Sequence, residues 1–120
     1  GPYAQPNHNI YPLGAGFLYR WFVNRERWEL WTGYDEGIEF LPDNQWQVGV
    51  RYSVKMRCEN QVGGGTQYRM KMWPFGTQEP AAWTFDRTTP AGDGNDVGSL
   101  LLVAHHADVA FGNIQVTELP

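Results

Sequence analysis

The sequence predicts an all-β domain, an antiparallel β-sandwich, and three observations carry that expectation. Apolar and polar residues alternate with period two in short segments along the whole chain, as half-buried strands require. Aromatic residues, which favour strands, reach 15% of the chain, with six each of Trp, Tyr and Phe. No stretch shows a sustained 3.6-residue period with caps, so helices should not exceed a turn or two.

At 120 residues the chain suits one domain. Hydrophobic residues make up 42% and charged residues 18%, a balance that folds rather than stays disordered. The net charge of −4 and the scatter of the nine Lys and Arg argue against a nucleic-acid partner, which demands a clustered basic surface. The longest apolar run, around residues 100–104, is too short to insert in a membrane.

The elements follow in order. Residues 1–14 hold three prolines and read as an extended N-terminal arm, with the single domain over 15–120. Gly1-Pro2 reads as a protease-cleavage scar, so the natural chain is expected to extend upstream. Strands are expected at Phe17–Phe22, at Arg27–Thr32, and at Gly37–Leu41, where Ile38 and Phe40 stand against Glu39. The segment Val50–Cys58 sets Tyr52, Val54, Met56 and Cys58 against Ser53, Lys55 and Arg57. After Gly63-Gly64-Gly65, Gln67–Trp73 sets Tyr68, Met70 and Met72 against Arg69 and Lys71. The two basic rows would repel, so acidic neighbours or an acidic ligand should lie close. Cys58, the single cysteine, is expected to be a buried, inert thiol.

Pro74 ends that strand and a short one follows at Trp83–Phe85. The apolar run Val97–Ala104 predicts a central strand buried on both sides. Val109–Glu118 alternates around Gly112-Asn113, a candidate bulge.

The stretches Tyr52–Cys58, Tyr68–Pro74 with Gly76-Thr77-Gln78-Glu79-Pro80 and Trp83, Gly98–His106 and Asp108–Val116 resemble the C-terminal half of concanavalin A-like lectin/glucanase sandwiches. The likeness is to the laminin-G-like branch and covers residues 46–118; residues 15–41 share only strand rhythm. It implies a jelly roll in a secreted or cell-surface protein, often carbohydrate-binding. Complete members are longer, so this chain is either a compact variant or one lacking N-terminal strands, whose open sheet edges a partner chain must cover.

Site candidates follow from chemistry. Trp31, Tyr34, Trp46 and Trp73 fall at strand ends or outward positions, where indole and phenol faces stack on sugar C–H surfaces; Trp21, Trp28 and Trp83 are expected to anchor the core. Lys55, Arg57, Arg69 and Lys71 would suit an acidic polysaccharide. Asp86, Asp93, Asn95 and Asp96 offer oxygen ligands for a structural calcium ion, although the same residues make an ordinary turn. His105, His106 and Asp108 make a poorer metal cluster, because adjacent residues of a strand face opposite ways. Of Glu29, Asp35, Glu36 and Glu39, Glu36 and Glu39 have odd separation and would face opposite ways in one strand, and Glu29 stands alone among aromatics. No compact acid cluster forms, so no catalytic residue is assigned. The leading expectation is a non-catalytic carbohydrate-binding or adhesion module; the alternative is an assembly subunit that self-associates or pairs through open edges and aromatic surface.

Overall fold

The computed structural model describes residues 16–20, 26–32, 36–42, 46–92, 100, 102, 104 and 107–120. Among these, six strands form two antiparallel three-stranded sheets, and there is no helix. The first sheet holds β1 (Gly16–Arg20), β2 (Arg27–Thr32) and β3 (Glu36–Leu41), and the second β4 (Tyr52–Asn60), β5 (Thr66–Pro74) and β6 (Phe85–Thr88). Each is a meander in chain order, with β2 and β5 central.

The β4–β5 hairpin follows from its sequence most directly. Two nine-residue strands pair in unbroken register from Tyr52↔Pro74 to Asn60↔Thr66. The turn needs Gly63, Gly64 and Gly65 at φ of 91°, 105° and 84°, where a side chain would be strained. At Gly65 a Cβ would also collide with the Thr89 carbonyl oxygen. That oxygen is close because Thr89 prolongs the β5–β6 ladder: its backbone N–H donates to the Thr66 carbonyl at 2.9 Å, and its Oγ1 accepts from Thr66 N–H at 3.1 Å.

β3 departs from simple alternation. Leu30 stands opposite Glu39 but Trp31 opposite Gly37, so Ile38 is an extra residue on β3, a bulge. The bulge lets Ile38 pack against the core while Phe40 stands on the exposed side under the Arg27 guanidinium, 4.3 Å from its ring centre. Ile38 and Phe40 therefore do not share the apolar role that alternation predicts.

Both sheets feed one core. Trp28 and Leu30 of β2 join Tyr68 and Met70 of β5 and Phe85 of β6, with Phe17, Tyr19, Ile38, Leu41, Trp46 and Met72 packed around them. The Phe17 and Phe85 rings meet at 5.3 Å. A polar tie runs between the sheets as well: Arg87 Nη1 donates to the Ile38 carbonyl at 3.2 Å and lies 3.9 Å from Glu39 Oε2.

The remaining strand expectations meet a different outcome. β6 begins at Phe85, so Trp83 precedes it. Leu100 and Leu102, from the run expected to be doubly buried, are 53% and 41% exposed and belong to no strand. Residues 107–120 also form no strand, because nothing pairs with them among the described residues. Asn113 does hold a left-handed φ of 52°, at the place where a bulge was expected. Cys58 lies on the expected face of β4 but is exposed, since the core reaches β5 and stops short of that edge. Trp21, the end of the first expected strand and the 1–14 arm lie outside the described residues.

Candidate functional site

The outward face of the second sheet gathers Lys55, Arg57, Arg69, Lys71, Trp73 and Asp86 of the residues singled out by sequence. Register places Lys55 opposite Lys71 and Arg57 opposite Arg69, a two-by-two block of cations. In water such pairs repel, and three carboxylates offset them here. Glu79, from the loop after β5, takes Lys55 Nζ at 2.8 Å and Lys71 Nζ at 2.9 Å. Glu59 takes Arg57 Nη2 at 3.2 Å, and Asp86 Oδ2 lies 3.3 Å from Arg69 Nε. This last contact is an ion pair without hydrogen-bond alignment, so Arg69 Nε, like Arg57 Nε, makes no hydrogen bond.

Lys71 is the anchor of the block. Its side chain is nearly buried, its ammonium donates to the Pro80 carbonyl at 2.6 Å, and it sits 4.7 Å from the centre of the Trp83 ring. Arg69 approaches the same ring at 5.9 Å. Trp83 is thus half-buried over the cations instead of anchoring the core. Trp73 alternates with Lys71 and Arg69 along β5, opposite Ser53. The hydrogen bonds from Lys55 and then Lys71 hold the Glu79 carboxyl below its ordinary range, so it stays ionised between the two ammonium groups.

The outward face of the first sheet carries a second cluster. Glu29 has no exposed surface, although it points away from the Trp28–Leu30 core. Arg20 grips it with two bonds of 3.1 and 3.0 Å, Arg27 Nε donates at 2.6 Å, and Trp31 Nε1 at 2.8 Å. Burial pushes the Glu29 carboxyl up, but the bonds from Arg20, Arg27 and Trp31 outweigh it and hold the group below its ordinary value. Both oxygens are engaged, so the group is fixed as a carboxylate that ties two strands together. Phe40 leans over Gly37 toward Trp31; a Cβ at Gly37 would strike the Phe40 ring.

The other expected site residues disperse. Trp46 is packed between Trp28, Tyr19 and Tyr52, at ring distances of 4.9, 5.6 and 5.3 Å, so its outward assignment is corrected to a core-flanking one. Trp31 stands on the first sheet, away from Trp73 and the cation block. Tyr34, Asp35, Asp93, Asn95, Asp96, His105 and His106 lie outside the described residues. Asp86, the described member of the calcium set, is engaged by Arg69 and by Gln67 Nε2 at 2.9 Å. No group of three His, Cys, Asp or Glu gathers among the described residues. Among the described residues there is no helix long and apolar enough to cross a membrane.

Sequence reasoning passed over Trp83, Glu79, Arg20 and Arg27. The repulsion of the basic rows called for an acidic neighbour or ligand without naming Glu79; the two arginines become visible as partners of Glu29 only when register sets Arg20 opposite Arg27. No protein-family model, curated protein or solved structure matches this chain.

Proposed function

We propose that this chain is a non-catalytic carbohydrate-binding module of an extracellular protein, built on a lectin-like β-sandwich of the jelly-roll kind, with its sugar site on the outward face of the second sheet. The observation that carries the reading is the Trp83 indole set against Lys71 and Arg69, beside a lysine pair bridged by Glu79. A sugar ring offers C–H groups to a flat aromatic and hydroxyls to fixed donors and acceptors at its rim. Trp73 supplies a second ring on the same strand face. Four cations set against three carboxylates leave a mild positive excess, which suits a neutral or weakly acidic polysaccharide.

The shared core and the Arg87 tie between the sheets support the sandwich reading, and the resemblance supplies the jelly-roll part of it. Affinity electrophoresis through gels of plant, algal and bacterial polysaccharides tests the function. Retardation that falls at least tenfold in Trp83→Ala and in Arg69→Gln, with Trp31→Ala retarded like the parent, supports it. Unretarded migration through every gel overturns it.

A further inference from the structure

Among the described residues, a long edge strand and a strand-patterned segment match each other in chemistry. The first is β4, an edge strand nine residues long that pairs only with β5 among the described residues. Its inward row is engaged at Tyr52, stacked on Trp46, but Val54 and Met56 are 45% and 42% exposed and Cys58 is exposed beside them. Long edges with apolar rows pair with other chains unless something covers them.

The second is the C-terminal segment. Residues 107–118 are exposed throughout and lie in no strand, yet Val109, Phe111, Ile114 and Val116 follow a strand pattern with one interruption. That interruption is Asn113, whose left-handed φ of 52° suits the extra residue of a bulge. One extra residue there brings Ile114 and Val116 to the same side as Val109 and Phe111. Charge points the same way: the chain has no Lys or Arg after Arg87, and the segment carries Asp108 and Glu118, while Arg51, Lys55 and Arg57 border the open edge.

We propose that residues 107–116 of one copy add as an antiparallel strand to the free edge of β4 in a second copy, and reciprocally, giving a strand-exchanged dimer. The register that matches both faces sets Asp108 opposite Arg57, Val109 opposite Met56 and Phe111 opposite Val54, then, past the bulge, Ile114 opposite Tyr52. Ala107 then lies opposite Cys58. Pairing β4 with its own image would instead bring Lys55 and Arg57 of the two copies together, which like charges disfavour. Each chain offers the β4 edge and the 107–116 segment, so a two-fold dimer covers both features at once.

The test uses the full chain in light scattering and sedimentation velocity, where a particle of twice the 13.7 kDa chain mass is expected. A chain ending at residue 106 and the exposed-site variant Phe111→Asp should both be monomers that still unfold cooperatively, losing from the circular dichroism only the strand signal of residues 107–116. Ala107→Cys treated with a short bismaleimide should link residues 58 and 107, and mixed heavy- and light-isotope chains should show that the link joins different copies. Cys58→Ser should abolish it. A monomeric parent, a dimer that survives both variants, or a link confined within single chains would each overturn the proposal.

Discussion

Lys55 and Lys71 face each other across the β4–β5 ladder, and one carboxylate, Glu79, binds both ammonium groups. Glu79→Gln should therefore lower the urea midpoint, because two in-register cations lose their counter-charge. The pH dependence has a definite sign. The folded-state carboxyl lies below its ordinary value, held there by the bonds from Lys55 and Lys71, so its contribution is full above the ordinary carboxylate range. It is lost as pH falls through the lowered value. Midpoints recorded across the acid range should converge for parent and Glu79→Gln; a gap that persists in strong acid would contradict the assignment.

Glu29→Gln should cost more. It replaces a fully buried carboxylate and leaves Arg20 and Arg27 opposite each other without the charge that bridges them. Breaking a buried pair costs about 3–5 kcal/mol, and the partly exposed arginines place this one near the lower end. Chemical denaturation reads it directly. The contribution of Glu29 is also lost only as pH falls through its depressed value, so the deficit should be full at neutral pH.

Phe85 links the sheets through Phe17 and has no exposed surface. Phe85→Ala should destabilise by about 3–5 kcal/mol and loosen both sheets together. Amide exchange in β2 and β5 should accelerate in parallel; acceleration confined to β5 and β6 would show that the two sheets do not share one core.

The glycine turn offers a comparison between neighbours. At Gly63 a Cβ meets nothing, so Gly63→Ala pays only for its left-handed φ, about 1–2 kcal/mol. At Gly65 a Cβ also meets the Thr89 carbonyl that accepts no shift without loss of the β5–β6 extension. Thermal midpoints should fall clearly further for Gly65→Ala than for Gly63→Ala.

How far the sequence was legible depended on whether a pattern was local. The β4–β5 hairpin was legible because alternation, the three glycines and Pro74 all act on neighbouring residues. Alternation also predicted the cation block, though not Glu79, whose place is set by the loop that follows β5. Phe40 was misread because the bulge at Ile38 breaks parity, and Gly37 beside it was read as the plain start of the strand. Trp46 and Trp83 were exchanged in role because neither lies in a strand, where period two would have told inside from outside. The C-terminal segment has the rhythm of a strand, but a strand exists only when another supplies hydrogen bonds, and that partner is not encoded within the segment.

The chain holds six tryptophans, and their indole N–H signals offer the most direct test of the proposed sugar site. Titrating the isotope-labelled protein with oligosaccharides from any polysaccharide that retards it should shift the Trp83 and Trp73 indoles. The Trp31 indole, tied to Glu29, and that of Trp28, in the core, should stay in place. Shifts at Trp31 with Trp73 and Trp83 unmoved would place binding on the other sheet and contradict the account.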